Sequence, residues 1–306
     1  MLSIFAFPKP FRGHIGVIQR NAISSWTRLD PRCEVFLFGD EEGTADVAAE
    51  LGVKHVADTL RNEFDTPLLS DVLARGERLA RHDIHGYVNC DIILGRDFMT
   101  AVQRVSAWRH RFLMIGECWN LDVTDTIDFD RPRWEEELQA AVHERGKARG
   151  PRAIDYFIYR RGLYGTLPPF ALGRGWFDNW LVWQARNVGG AVVDASKTVH
   201  AVHQNHDYTH VSGGKLYTLF GAEATRNLQL AGGPKHCARI CEASHVLLPH
   251  RLKRSLRGFF SWQTKQRAAT AFWYVAELTR PLRHSLGLRM STVQRVRTLL
   301  RGGRTQ

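Results

Sequence analysis

Short apolar runs alternate with longer segments of helical period along the first 245 residues. This is the pattern of helices covering both faces of a mainly parallel sheet. Residues 3–7 read as a first strand and residues 16–29 as a helix, with Val17, Ile18, Ala22, Ile23 and Trp26 on one side. Pro31 ends that unit, because proline cannot continue a helix. Residues 34–38 form a second buried strand that stops at an acidic, turn-rich loop, residues 39–43, so Asp40 falls just past a strand's carboxyl end. A helix over 44–51, a strand over 53–56, a helix over 67–81 and a strand over 87–94 continue the alternation. Residues 112–118 read as a further strand. The polar stretch 122–150 reads as an excursion holding a helix over 134–145. A strand over 153–159, a Gly/Pro-rich loop over 162–175, an aromatic-rich helix over 176–187 and a return to the sheet over 191–202 complete the unit.

After Pro249 the composition changes to Arg, Lys, Leu and aromatics, which divides the chain into a domain over 1–248 and a basic amphipathic helical tail over 249–306. That division alters the meaning of the net charge of +11. Residues 251–306 carry 13 Lys or Arg against one acid, Glu277, whereas the first 250 residues carry 29 against 30. A nearly neutral main domain does not call for a nucleic-acid partner. A basic tail bearing Phe259, Phe260, Trp262, Phe272, Trp273 and Tyr274 suits an anionic membrane surface, or alternatively single-stranded nucleic acid. Five cysteines scattered over 306 residues do not form a disulfide framework and fit a reducing compartment. The apolar N-terminal run is broken by Pro8 and has no basic residue before it, so it is expected to be a strand and not a signal peptide. No window approaches 18 uninterrupted apolar residues, so no spanning helix is expected and the location expected is cytoplasmic.

In open α/β sheets ligands settle beyond the carboxyl ends of the strands, which draws together the loop 8–14, Asp40 and Asp91. Asp91 stands within an otherwise buried run, Tyr87 to Leu94, where a charged carboxylate needs a cation or hydrogen-bond donors. A divalent metal is one such partner; backbone amides at a strand end are another. The histidine-rich stretch His200, His203, His206 and His210 follows the last strand of the sheet, and imidazole beside carboxylate suits Mn²⁺. Strand alternation sends His200 and His203 to opposite faces, and His206, past the strand, has the freest geometry. Asp178 opens a helix after the glycine loop, where it can serve as a general base or simply answer the helix dipole. Trp176, Trp180 and Trp183 recur at helical spacing, a core pattern, although Trp176 beside two glycines could stack on a sugar. Cys237, Cys241 and His245 fall on one face of a presumed helix without the paired spacing of a zinc module. No GxGxxG follows strand one and no GxxxxGK[ST] occurs, which disfavours dinucleotide and P-loop chemistry.

The succession Phe7-Pro8-Lys9-Pro10-Phe11, Ile18 to Trp26, Phe38-Gly39-Asp40-Glu41-Glu42-Gly43, Thr66-Pro67-Leu68-Leu69, Asn89 to Leu94 and His203 to Tyr208 resembles the nucleotide-diphospho-sugar transferase superfamily of GT-A fold, over roughly the first 210 residues. The resemblance implies a glycosyltransferase that uses a nucleotide-diphosphate sugar and Mn²⁺ or Mg²⁺. The acceptor would be a glycan, a lipid-linked or envelope molecule, or a small molecule, reached from the cytoplasmic face of a membrane. It implies that Asp40 touches the nucleotide base or ribose, that Pro8, Lys9, Thr66 and Asp71 lie on the donor side, and that the DxD signature falls on Asn89 to Asp91. Asn89 replaces the first acid, so Asp91 is the remaining acidic metal ligand and His206 the helper. By position Asp178 is the base. A silent domain that binds a nucleotide sugar without transferring it is the alternative that the incomplete DxD leaves open.

Overall fold

The structure, a computed structural model, describes residues 1–207 and 214–265 of the 306. His210 and the tail residues Phe272, Trp273 and Tyr274 therefore lie outside the described residues. Two compact units are present, Met1–Ser261 and Trp262–Gln306, and the first contains all the elements named below. In chain order these are β1 (Leu2–Ala6), α1 (Gly13–Thr27), β2 (Glu34–Phe38), α2 (Thr44–Glu50), β3 (Lys54–Val56), α3 (Leu69–Leu79) and β4 (Ile84–Val88). There follow β5 (Ile92–Ile93), α4 (Arg96–Trp108), β6 (Phe112–Ile115), β7 (Trp119–Leu121), α5 (Trp134–Arg145), β8 (Lys147–Ala148) and β9 (Tyr156–Arg160). The last are α6 (Phe177–Asn187), β10 (Ala191–Asp194), β11 (Val202–Gln204), α7 (Gly214–Phe220), α8 (Ala222–Leu230), β12 (His245–Leu247) and β13 (Leu252–Arg254).

Nine strands form one sheet in the order β13-β12-β10-β6-β9-β4-β1-β2-β3. Neighbours run parallel except β9, antiparallel to both β4 and β6, and β13, antiparallel to β12. Alternation along β1 sets the two faces. Leu2, Ile4 and Ala6 join a core with Ala22, Ile23 and Trp26 of α1, Val47 of α2 and Phe98, Met99, Val102 and Val105 of α4. Phe5 points the other way, onto α3, where Gly76 lies so close that a Cβ there would sit 2.8 Å from the Phe5 ring. Helices on both faces of a mainly parallel sheet are the α/β architecture expected from the sequence.

Two expectations change. The single strand over 87–94 is broken: β4 ends at Val88, a turn closes with the Ile92 N–H donating to the Asn89 carbonyl, and β5 belongs to a second sheet of order β5-β11-β7-β8. Asp91 thus stands in the turn beyond the carboxyl end of β4 and not within a strand. Residues 249–306, expected as a helical tail, begin with a strand, after which residues 256–265 are helical and 266–306 lie outside the described residues. β13 pairs with β12 at Leu247 opposite Leu252, and the first unit runs on to Ser261. No helix among the described residues is long and apolar enough to cross a membrane.

Candidate functional site

The second, small sheet assembles the site. β11 pairs antiparallel with β5, His203 opposite Ile92, and parallel with β7. The side chain of Gln204, fully buried, donates to the Ile18 carbonyl at 2.7 Å and lies 3.3 Å from the Asp91 carbonyl, while its backbone N–H donates to the same Asp91 oxygen at 3.0 Å. From α1, the Trp26 indole N–H donates to the Ile92 carbonyl and the Leu94 N–H donates to the Ser25 hydroxyl. These bonds fix the backbone on both sides of Asp91 through side chains that are themselves buried, so little freedom is left to its carboxylate.

Asp91, His203 and His206 then meet, with one candidate ligand atom from each lying within 4.8 Å of the others. His206 Nε2 lies 3.1 Å and His203 Nε2 3.5 Å from Asp91 Oδ2. Asp91 Oδ1 is buried and has no hydrogen-bond partner. Burial alone would push the Asp91 carboxyl up; His203, His206 and Lys9 reverse this and hold it well below the usual carboxylate range. The His206 Nδ1–H donates to the Asp207 carbonyl, which leaves Nε2 as the nitrogen that faces Asp91. This is the arrangement typical of a metal-ligating imidazole. A nitrogen and an oxygen 3.1 Å apart also match adjacent corners of an octahedral sphere, for which ligands at ~2.1 Å from the ion stand ~3 Å from each other. The residues fit a divalent metal.

Lys9 enters from the loop after β1. Gln19 of α1 clasps its backbone, accepting from the Lys9 N–H at 2.6 Å and donating to the Lys9 carbonyl at 2.8 Å. The Lys9 ammonium reaches within 3.4 Å of His206 Nε2. Burial lowers its pKa, and Asp91 partly offsets that effect.

A second group adjoins the first. Arg149, just after β8, ion-pairs with Asp155 through Nε at 2.8 Å and places Nη1 3.1 Å from both His203 Nδ1 and Asn120 Oδ1. Asp155 is buried and accepts from the Asn89 side-chain amide at 3.0 Å, and its backbone carbonyl accepts from the Asn89 N–H at 2.9 Å. Asn89 is thus committed as a donor to Asp155. Asp178, in the first turn of α6, has its pKa raised to about 7, chiefly by burial, with Asp155 adding to the rise and Arg149 opposing it. That coupling puts Asp178 within electrostatic reach of the group.

Other expected residues have different surroundings. Pro8 is buried beside Lys9. Asp40, exposed at the carboxyl end of β2, accepts from Arg61 at 2.9 Å, and the same guanidinium nitrogen donates to Glu41, while the guanidinium carbon lies over the Phe7 ring. Thr66 meets Arg174, which in turn is bound to buried Glu223 of α8. Asp71 accepts from the Leu60 N–H with one oxygen and from Arg75 with the other, a structural commitment. His200 lies in the loop between β10 and β11, not in a strand, and pairs with Asp97 at 2.8 Å. Trp180 is buried, and Trp176 is half-buried with a left-handed φ of 85° just before α6. Cys237, Cys241 and His245 do not share a helix face: two short 3-10 turns and the start of β12 occupy that stretch.

Sequence reading missed Arg149, Asp155 and Arg61, and passed over His203 as a site residue. The one available signal was an acid, Asp155, placed immediately before the apolar run Tyr156 to Tyr159. The partners that make Arg149 and Arg61 informative come from distant parts of the chain.

Neither protein-family models nor curated proteins match the sequence. Among solved structures, the fold is similar to Mycobacterium tuberculosis glucosyl-3-phosphoglycerate synthase, at 17% identity and TM-score 0.47 over 76% of this chain and 81% of that one. A structure of that enzyme with Mg²⁺ and uridine diphosphate matches at 16% identity and TM-score 0.47, over 84% of this chain and 91% of that one. Staphylococcus aureus TarS with uridine diphosphate matches at 11% identity and TM-score 0.32, over 39% of this chain and 36% of that one.

Proposed function

We propose that this chain is a GT-A-type glycosyltransferase that moves a sugar from a nucleotide-diphosphate donor to a hydroxyl acceptor. The observation that carries the reading is the buried Asp91 carboxylate beyond the carboxyl end of β4, with Oδ1 unpartnered, Oδ2 3.1 Å from His206 Nε2, and the Lys9 ammonium 3.4 Å from that nitrogen. Asp91 and His206 would hold Mn²⁺ or Mg²⁺, and an ion bound there would supply charge neutralisation for the leaving diphosphate. Lys9 meets the same diphosphate as a fixed cation, at a point where water is largely excluded and the attraction correspondingly strong. Asp40 lies toward the nucleoside, beside Arg61 and the Phe7 ring. The acceptor hydroxyl oxygen bonds to the anomeric carbon, the bond from that carbon to the phosphate oxygen breaks, and the electron pair leaves with the nucleoside diphosphate. The hydroxyl proton passes to the Asp178 carboxylate. A carboxyl poised near 7 is well matched to that transfer.

A screen of nucleotide-diphosphate sugars by thermal shift, with Mn²⁺ present and absent, tests the donor class. The wild-type chain is stabilised by one donor more with Mn²⁺ than without. Asp91→Ala loses at least ~100-fold in metal-dependent donor affinity, because it removes the only carboxylate of the metal group. Equal donor binding by that variant refutes the assignment.

A further inference from the structure

Three ligand-type side chains surround the candidate metal position, but their hydrogen bonds do not leave all three able to bind it. Arg149 is a permanent donor with no acceptor capacity. Its Nη1 lies 3.1 Å from His203 Nδ1, so that nitrogen must offer a lone pair; a proton there would set two donors head to head. A neutral imidazole with a lone pair on Nδ1 carries its proton on Nε2. That N–H faces Asp91 Oδ2 at 3.5 Å. His206 is the reverse case. Its Nδ1–H is held by a backbone carbonyl, and its Nε2, 3.1 Å from the same oxygen, is the nitrogen that would turn a lone pair to an ion bound there.

Arg149 cannot easily move aside to release His203. Its Nε is paired with Asp155 at 2.8 Å, Asp155 is 3% exposed, and Asn89 secures the far oxygen of that carboxylate. Breaking such a buried pair leaves an uncompensated charge, a strongly unfavourable change.

We propose that Arg149 is a positioning residue that fixes His203 as the Nε2–H tautomer. His203 is thereby kept out of the metal's coordination sphere, so the divalent ion is held by two protein side chains, Asp91 and His206. The rest of the sphere is left to water and the donor's diphosphate. The inference rests on the metal-assisted donor reading above and specifies its ligand set. It also accounts for the position of Asn89, whose amide serves Asp155 and through it Arg149, where an acid would repel.

Two measurements on the full chain test it. In the first, Mn²⁺ alone is titrated and the free ion is followed by electron paramagnetic resonance. His206→Gln weakens binding at least ~10-fold, whereas His203→Gln stays within about threefold of wild type, since the glutamine amide can both donate to Asp91 and accept from Arg149. Equal losses in the two variants overturn the proposal. In the second, ¹⁵N–¹H correlation spectra of the imidazoles of the metal-free chain are recorded. His203 reads as the Nε2–H tautomer, and Arg149→Met converts it to a mixture. An Nδ1–H His203 in the wild type overturns the proposal, whatever the metal titration gives. If wild type binds no Mn²⁺ yet His203 is the Nε2–H form, the metal reading falls and the role of Arg149 in setting the tautomer stands.

Discussion

Asn89 and Asp155 are 66 positions apart and meet side chain to side chain and backbone to backbone. An acid at 89 would face the Asp155 carboxylate, so the packing around Asp155 calls for an amide there. Asp178 is the most informative single side chain to change. Burial raises its carboxyl from an ordinary 3.8 to about 7, so the folded chain binds that proton more tightly than the unfolded chain does. The stability it contributes is full below 3.8 and is lost as pH rises through about 7. Asp178→Asn, which cannot ionise, should therefore melt higher than wild type at pH 8, at roughly 2–4 °C for each kcal/mol regained in a domain of this size. The difference should vanish near pH 3.5 in calorimetric scans. The same variant should lose ~10²–10⁴-fold in transfer rate with donor affinity retained, and wild-type kcat/KM should rise with pH through about 7. Asp91 was legible as a carboxylate within an apolar run, His206 as a histidine in the stretch after the last strand, and Asp178 as an acid opening a helix after a glycine loop. Arg149 was not, because a charged residue between two short strands looks like any solvated arginine until His203 and Asp155 arrive from elsewhere.

At the scale of elements, the apolar periodicity located most of the strands and helices to within a few residues. The expected helix over 134–145 coincides with α5, and strand 34–38 with β2. α4 was overlooked even though Phe98, Met99, Val102 and Val105 recur at helical spacing and are buried. The division between β4 and β5 was hidden for a different reason. Residues 87–94 are apolar nearly throughout, and a continuous apolar run carries no mark of where the chain leaves one sheet for another. α8 is anchored by charge rather than by apolar area. Its Glu223, 2% exposed, accepts from Asn62 at 2.9 Å and from Arg174 at 2.7 Å. Glu223→Ala leaves the Arg174 guanidinium without that carboxylate, and unfolding in urea should show a loss of about 3 kcal/mol. Limited proteolysis should then cut first near residues 214–230, and an unchanged cleavage pattern with unchanged stability would count against this anchoring.

The whole chain separates its charge. The near-neutral stretch before residue 251 contains the site, and the excess of Lys and Arg follows it. Arg251, Lys253, Arg254, Leu256, Arg257, Phe259 and Phe260 are exposed at the end of the first unit. Each basic residue near an anionic bilayer is worth ~1 kcal/mol, and buried aromatics add to it. Flotation with vesicles containing phosphatidylserine should carry the full chain upward, and a chain ending at Ser261 should float less. Equal flotation would remove the membrane reading of residues 262–306, and preference for neutral vesicles would remove it for the whole of residues 249–306. The pairing of β5 with β11 has a kinetic meaning as well. Asp91 emerges during synthesis more than a hundred residues before His206, and the strand that joins them closes a long loop, which is a slow event in folding. The cation position does not exist in the nascent chain until the second sheet has closed. Metal capture would then report completed folding, and a refolding chain should acquire Mn²⁺ affinity only after its helical signal has returned.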